Sequence, residues 1–254
     1  MVDVNDVPIY VTTSNGRDNI LKVFCHLFNK YWSDDKEVIV VGYDFPKFQM
    51  PSNFTFRTMG EQIGGPSEWA TDLNVFFSSE SVKYFIHTLD DQFLWSLVRF
   101  DIMQDLFDKM LDVSASRLSL ANLRHNNGLI REGKISILDK NEEYDVYDFD
   151  QDCEYRVSAG VCLYDIDYFL KYLIPGRTPW QYETQGSAEA KNDGAVQLCC
   201  DRAYPVYRVE GFYNNEFRWN GVPCPPQYSI DKAYQGKVSD DDILEMSNLG
   251  IISL

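Results

Sequence analysis

The chain has 254 residues, of which 44% are hydrophobic, 24% charged and 15% aromatic. This length and composition predict a soluble globular protein that can bury a core of its own. The formal net charge of -16 argues against a nucleic acid partner, because phosphate backbones are bound by lysine and arginine patches. No apolar run is long enough to span a membrane and the first residues lack a secretion signal, so we expect a cytoplasmic protein.

The first quarter of the chain predicts a parallel βαβ unit. A β-rich run from Pro8 to Thr13 precedes a helix, and a second, almost continuous apolar run extends from Glu37 to Asp44. Such a run is typical of a strand buried on both faces, and two strands that flank a helix are usually parallel. The helix is predicted from apolar residues at helical spacing, namely Ile20, Phe24, Leu27, Phe28 and Tyr31.

A pair of adjacent carboxylates stands out in the next part of the chain. The segment from Phe45 to Pro66 contains several breakers and predicts irregular structure, after which Pro66 begins a helix. An apolar run from Tyr84 to Leu89 then ends in Asp90 and Asp91, and a helical pattern follows at once from Phe93 to about Leu111. Two like charges repel unless a cation or a proton lies between them, so this corner predicts a cation or sugar-nucleotide site.

The second half of the chain predicts shorter elements. The acidic segment from Asn141 to Glu154 lacks the spacing of a calcium loop and predicts a solvated edge strand or loop. Asp165 is predicted to cap one helix and Ser239 another. The remaining predictions are strands at Leu129–Ile130, Lys134–Leu138, Arg156–Leu163 and Tyr204–Phe212, a turn at Asn214–Asn215, and a polar-aromatic loop from Arg177 to Ser187 that is followed by a short helix.

Polar groups follow three of the predicted strands in the first half. Thr12 and Thr13 end the first strand, Asp44 ends the second, and Asp90 with Asp91 ends the run from Tyr84. Parallel α/β sheets bind ligands at the carboxyl ends of their strands. Each group alone is as well explained by a helix cap or a turn. Their order along the chain is a more specific indication of a ligand site than any one of them.

In this order the segments resemble the GT-A-type nucleotide-sugar glycosyltransferases. The resemblance implies an α/β fold: a Rossmann-like single domain with a mixed, mainly parallel central sheet and helices on both faces. We expect residues 1–112 to form the nucleotide-sugar-binding half, 113–225 the acceptor-side half, and 226–254 a C-terminal extension with a short helix. The segments that carry the resemblance are Tyr10–Arg17, Val40–Asp44, Ser67–Leu73, Tyr84–Leu94 and Thr178–Glu183.

The resemblance also implies a donor site. The metal ligands would be Asp91 and Gln92, holding Mn²⁺ or Mg²⁺ against the charge of the leaving diphosphate. The family has Asp-x-Asp where this chain has Asp90-Asp91-Gln92, and a neutral amide binds a cation more weakly than a carboxylate does. The residues implied to bind the nucleotide part of the donor are Thr12, Thr13, Arg17, Asp44 and Asp90.

The segment Thr178–Glu183 resembles the part of inverting enzymes that carries a carboxylate near a helix start. The resemblance makes Glu183 the general base that deprotonates the acceptor hydroxyl. Trp180 is the predicted sugar platform, and Trp69 and Asp72 are predicted to contribute to the sugar and acceptor site. The other interpretation is that Glu183 merely suits the helix dipole and that Trp180 anchors the core.

The predicted activity is transfer of a sugar from a nucleotide-diphosphate-sugar donor to a hydroxyl of a glycan or small-molecule acceptor, with inversion. One alternative is a nucleotidyltransferase, although the first strand is not followed by a glycine-rich basic phosphate loop. The other is a catalytically degenerate domain that binds carbohydrate, an interpretation that Gln92 favours.

Overall fold

The protein is described here by a computed structural model that covers residues 2–121, 135–213, 216–220 and 236–253. The described helices are α1 (Asp18–Tyr31), α2 (Trp69–Ser78), α3 (Phe100–Asp112), α4 (Ile166–Tyr172), α5 (Pro179–Glu189) and α6 (Asp240–Asn248). The described strands are β1 (Ile9–Thr12), β2 (Val38–Gly42), β3 (Phe54–Thr58), β4 (Tyr84–Leu89), β5 (Gln92–Leu94), β6 (Arg117–Ser119), β7 (Ile135–Lys140), β8 (Asp145–Phe149), β9 (Cys162–Asp165), β10 (Gln197–Asp201), β11 (Arg208–Glu210), β12 (Phe212–Tyr213) and β13 (Glu216–Phe217).

One mixed sheet of nine strands organises the chain, in the order β3-β2-β1-β4-β9-β6-β10-β8-β7. The first four strands in this order, β3, β2, β1 and β4, are parallel to one another. Only β9 and β8 run against the other strands of this sheet, as their antiparallel pairings show. The mixed, mainly parallel sheet predicted from the sequence is therefore confirmed.

Helices cover both faces of this sheet. Side chains of α1, α3 and α6 share one buried cluster with Ile9 and Val11, whereas those of α2, α4 and α5 share another with Tyr10. Consecutive residues of a strand point to opposite faces, so the two clusters lie on opposite sides of β1. The near-continuous apolar runs of β1 and β2 follow from this double cover, and the predicted α/β fold class is confirmed.

Two predictions in the first half were wrong. The segment predicted to be irregular contains β3, which pairs in parallel with β2 through the register of Val40 with Phe56. The helix expected directly after Asp91 begins only at Phe100, because the intervening residues form β5. Phe93 and Leu94 are buried by the antiparallel pairing of β5 with β11, and this long-range contact overrides their helical spacing.

Three predictions in the second half also need correction. The strand expected from Arg156 to Leu163 is limited to β9, since residues 156–161 form turns beneath α5. The segment expected to be a polar-aromatic loop is helix α5, which Thr178 begins with a capping box to Gln181. β8, in the acidic segment, lies between β10 and β7 rather than at the edge. The predictions for Leu129–Ile130 and Asn214–Asn215 lie outside the described residues.

The C-terminal helix α6 is fixed to α1 by one buried carboxylate. Asp242 closes the capping box with Ser239, as the sequence predicted for this cap, and accepts a hydrogen bond of 2.7 Å from the Tyr31 hydroxyl. Lys30 lies 2.6 Å from its other oxygen. Within the described ranges, no helix has the length and apolar character needed to cross a bilayer.

Replacing Asp242 with alanine should lower the free energy of unfolding by about 2–3 kcal/mol, because the cap and the bonds to α1 are lost together. Burial alone would raise the pKa of Asp242, but hydrogen bonds from Lys30, Tyr31 and Ser239 lower it. Its contribution to stability should therefore disappear as the pH falls through this lowered pKa. Urea denaturation measures both effects, and the exposed neighbour Asp241→Ala is the control, with a change below about 0.5 kcal/mol.

Candidate active site

The ends of β1 and β4 meet at one edge of the sheet. Because these strands are parallel neighbours, the residues after Thr12 and after Leu89 emerge side by side. The Asp90 backbone N–H donates to the Thr12 carbonyl oxygen over 3.2 Å. The Thr13 hydroxyl donates to Asp90 Oδ2 over 2.6 Å, so the two predicted donor-site residues are in direct contact.

Arg17 joins both carboxylates of this corner. Its Nε lies 3.0 and 2.9 Å from the two oxygens of Asp90, and its Nη2 lies 2.7 Å from Asp90 Oδ1. The same Nη2 donates to Asp91 Oδ2 over 3.0 Å. The guanidinium carbon lies 5.6 Å from the centroid of the Phe212 ring. We call Thr13, Arg17, Asp90 and Asp91 the acidic corner.

Burial distinguishes the two carboxylates of the acidic corner. The Asp90 side chain is 4% exposed and the Asp91 side chain 25% exposed. Burial and the neighbouring Asp90 raise the pKa of Asp91 to about 6, although Arg17 acts in the opposite direction. Asp91 is thus the carboxylate that solvent or a ligand can reach.

The predicted metal ligands do not form a cation site. Gln92 is buried, and its Oε1 accepts hydrogen bonds from the Thr88 hydroxyl and the Leu89 backbone N–H, so it is turned away from the cleft. Both oxygens of Asp90 are bound by Arg17 and Thr13. In the described part of the chain, no cluster of three or more acidic, histidine or cysteine side chains could hold a metal ion. The residues present therefore do not fit a preformed Mn²⁺ or Mg²⁺ site.

Two other predicted donor residues lie apart from the acidic corner. The Thr12 side chain is buried, and its hydroxyl lies 3.2 Å from Nε2 of the fully buried His87. Thr12 thus supports the sheet, and only its backbone reaches the site. Asp44 lies exposed beyond the end of β2, where its backbone N–H donates to Asn15 Oδ1 in the loop after β1.

Glu183 lies one turn into α5, and the described residues hold one of its two oxygens. Its Oε1 accepts hydrogen bonds from the Ser158 hydroxyl over 3.0 Å and from the Ala159 backbone N–H over 2.8 Å. No described residue donates to Oε2. Burial raises the pKa of Glu183, although these two bonds partly oppose the shift. A carboxylate with one fixed and one free oxygen and a raised pKa has the properties of a general base.

The predicted sugar and acceptor residues differ in how they are held. Trp180 is 68% exposed and lies three residues before Glu183 on the same helix, so the two side chains share a face of α5. The Trp69 ring contacts Tyr182 of α5, with 5.5 Å between the centroids. Asp72 accepts a hydrogen bond of 2.8 Å from the Tyr43 hydroxyl, and this bond connects α2 to the end of β2.

Glu210 is a site residue that the sequence did not indicate. It lies opposite Gln92 in the pairing of β11 with β5. Its charge is close enough to both carboxylates to raise the pKa of Asp91 and of Glu183. Its side chain is half exposed and lies 3.5 Å from Arg208. The pairing that places it joins segments far apart in the chain, which no local pattern could reveal.

Gly211 allows β11 to cover the acidic corner closely. Its N–H donates to the Asp91 carbonyl oxygen over 2.8 Å, and a Cβ at this position would lie 1.8 Å from the buried Phe93 ring. Gly211→Ala should lower the free energy of unfolding by about 1–3 kcal/mol through overpacking. Thermal denaturation measures this, with the exposed Glu216→Ala on the neighbouring β13 as control. A change of equal size in both variants would contradict the close approach.

No protein-family model matches this sequence, and neither does any curated protein. Among solved structures, the chain is similar to the mannosyltransferase PcManGT from Pyrobaculum calidifontis, solved in complex with GDP-Man and Mn²⁺. The identity is 13%, the TM-score is 0.51, and the alignment covers 83% of this chain and 58% of the mannosyltransferase. TarS of S. aureus has 11% identity and a TM-score of 0.47, with 79% of this chain and 60% of TarS covered.

The chain thus spans under two thirds of the length of either solved structure. At this identity, the likeness to the mannosyltransferase shows a shared fold. The protein has the GT-A-type fold that the sequence resemblance implied, with the acidic corner at the carboxyl ends of its parallel strands.

Proposed function

We propose that the protein is a glycosyltransferase that moves a sugar from a nucleotide-diphosphate-sugar donor to a hydroxyl of a glycan or small-molecule acceptor, with inversion. The observation that carries this proposal is the joint arrangement of the acidic corner and Glu183. The acidic corner contains an oriented guanidinium at the strand ends, and Glu183 is a carboxylate with one oxygen to which no described residue donates.

The acidic corner receives the donor in this proposal. Asp44 and the loop after β1 lie at the same sheet edge and would contact the base or ribose, while Arg17 meets the diphosphate. Guanidinium groups match phosphate oxygens through paired N–H donors. Arg17 would therefore stabilise the negative charge that the nucleoside diphosphate acquires as it leaves.

Glu183 removes the acceptor proton. Its Oε2, to which no described residue donates, accepts the proton of the acceptor hydroxyl. At the same time the oxygen of that hydroxyl forms a bond to the anomeric carbon of the donor sugar. The bond from the anomeric carbon to the phosphate oxygen breaks with its electron pair, and the nucleoside diphosphate departs from the opposite face. This single displacement inverts the anomeric configuration. Trp180, exposed on the same face of α5, would stack on the acceptor sugar.

One comparison supports the predicted Mn²⁺ or Mg²⁺, but the side chains of Asp90 and Gln92 are not arranged as metal ligands. The similar mannosyltransferase was solved with Mn²⁺, whereas here Gln92 faces inward and Asp90 is bound by Arg17 and Thr13. Our proposal assigns the diphosphate to Arg17, leaves Asp91 and Gln92 without a role as ligands, and routes no step through a metal.

The domain division proposed from the sequence is compatible with these roles. Residues 1–112 carry the acidic corner, and residues 113–225 carry Glu183, Trp180 and Glu210. Residues 226–254 include α6, which is fixed to α1. We further propose that nucleic acids are not partners, because the net charge is -16.

A donor panel tests the function directly. UDP- and GDP-sugars, with and without Mn²⁺, are incubated with the protein, and nucleotide release and donor binding are measured. We expect one donor class to bind and to be hydrolysed slowly without an acceptor. If no donor binds or turns over, the proposal fails. Pyrophosphate release from a nucleoside triphosphate would instead support a nucleotidyltransferase.

A further inference from the structure

We propose that Arg17 is a built-in cation for the donor diphosphate, so that the nucleotide binds without a divalent metal. This inference rests on the proposed function and specifies how the donor is held. The guanidinium lies between the carboxylates where the sequence predicted a metal ion.

One side of the guanidinium has no partner among the described residues. Nε and Nη2 form the edge that faces Asp90, and Nη2 also reaches Asp91. Nη1 lies at the other end of the planar group, and no described residue accepts its two N–H bonds. The Arg17 side chain as a whole is 26% exposed. Two donors with a fixed direction are therefore free for phosphate oxygens.

Arg17 is also oriented before any ligand arrives. Asp90 binds it through both oxygens and is itself held by Thr13, while Phe212 contacts the guanidinium. A long side chain normally loses rotamer freedom when it binds a ligand, and this loss weakens affinity. Here that freedom is already restricted in the free protein. A cation held in this way can bind an anionic group with a smaller loss of side-chain entropy.

The Asp91 carboxylate distinguishes binding through Arg17 from binding through a metal ion. Asp90 and Arg17 offset each other, whereas Asp91 has an oxygen, Oδ1, to which no described residue donates. If a metal carried the diphosphate, the Asp91 carboxylate would be needed as a ligand. If Arg17 carries it, the Asp91 charge only repels the phosphates. Asp91→Asn therefore separates the two possibilities by the direction of its effect.

The experiment is calorimetric titration of UDP and GDP into the full chain in EDTA and, separately, in Mn²⁺. We expect one nucleotide to bind in EDTA, with Mn²⁺ changing its affinity by less than about tenfold. Arg17→Met should weaken this binding by about tenfold to hundredfold, the usual range for a charge-assisted hydrogen bond. The matching nucleoside, uridine or guanosine, lacks the diphosphate and should bind both proteins equally. Asp91→Asn should bind the nucleotide in EDTA at least as tightly as the wild type.

A second variant controls for folding. Arg17→Met leaves the buried Asp90 without its cation, which can unfold the corner for reasons unrelated to nucleotides. The double variant Arg17→Met/Asp90→Asn removes both charges and should recover most of the melting temperature while nucleotide binding stays weak. Recovery of binding together with stability would overturn the inference.

The other outcomes are equally decisive. Binding that requires Mn²⁺, or that Asp91→Asn abolishes, would overturn the role of Arg17 and leave the glycosyltransferase proposal intact. Unchanged affinity in Arg17→Met would also overturn it. If neither UDP nor GDP binds under either condition, the proposed function itself fails, and this inference fails with it.

Discussion

Replacing Glu183 with glutamine should reduce sugar transfer by about 10²- to 10⁴-fold, the usual contribution of a positioned general base. Glutamine keeps the shape of the side chain, and its Oε1 can still accept the bonds from Ser158 and Ala159. What it loses is the ability to take a proton from the acceptor. Nucleotide binding at the acidic corner should be unchanged, so the effect should appear in kcat and not in the nucleotide affinity.

The same substitution should make the protein more stable at neutral pH. Burial raises the folded-state pKa of Glu183 above its unfolded value, so the folded protein favours the protonated form. The wild type therefore loses stability as the pH rises through the folded pKa, whereas glutamine carries no charge to desolvate. Urea denaturation from pH 5 to pH 8 should show the two proteins diverging as the pH increases.

A carboxylate elsewhere on α5 provides the control for Glu183. Glu189 is half exposed and pairs with Arg177 at the surface, so Glu189→Gln should change the free energy of unfolding by at most about 1 kcal/mol. Its kcat should equal that of the wild type. If Glu183→Gln retained full activity, the base would have to be another group, and Glu210 would be the first residue to substitute.

The elements that form the acidic corner could be predicted largely from the sequence. Local patterns were sufficient to predict β1, α1, β2 and β4, because each carries an apolar run or an apolar helix face with clear ends. Parallel neighbours then require their ends to meet, which predicted that Thr13 and Asp90 lie close together. The GT-A-type fold was predicted through the resemblance of these segments in their order along the chain, and not from local periodicity alone.

The roles of individual side chains depended on contacts that are distant in sequence. Gln92 looked like a metal ligand, but the pairing of β5 with β11 turns its amide inward, and the same pairing places Glu210 in the site. Glu183 was predicted only through a resemblance. Its hydrogen bonds come from the Ser158–Ala159 turn, which the sequence indicated as part of a strand. These outcomes are decided by register and tertiary packing, which local periodicity does not encode.

The Ser158–Ala159 turn, which holds Glu183, is itself held in place by the fully buried Arg156. Arg156 donates to the backbone carbonyls of Phe149, Asp150, Ala190 and Ala195. Its Nη2 lies 2.8 Å from an oxygen of Asp193, whose side chain is only 3% exposed. Directly after Arg156, the Val157 N–H donates to the Ser187 hydroxyl of α5. This network joins the ends of β8 and α5 beneath the predicted base.

Arg156→Met should lower the free energy of unfolding by about 3–5 kcal/mol, the cost of leaving a buried charge without its partner. The affected charge is Asp193. Among the described residues it would keep hydrogen bonds from the Tyr172 hydroxyl and the Ala195 N–H, and a longer ion pair of 3.7 Å with Lys171. Where the variant remains folded, the Ser158–Ala159 turn should loosen, so kcat should fall while nucleotide affinity at the acidic corner is kept, because Arg156 bonds to none of its residues. Denaturation by urea and titration with UDP or GDP measure the two parts separately.

The double variant Arg156→Met/Asp193→Asn decides whether the cost arises from the unpaired charge. Removing both members should recover part of the stability, because a buried ion pair as a whole contributes much less than its disruption costs. The hydrogen bonds that Arg156 donates to four backbone carbonyls are lost in both variants, so recovery should be incomplete and kcat should stay low. A single-variant cost below about 1 kcal/mol would show that water replaces the arginine and that the turn beneath Glu183 is held by other contacts.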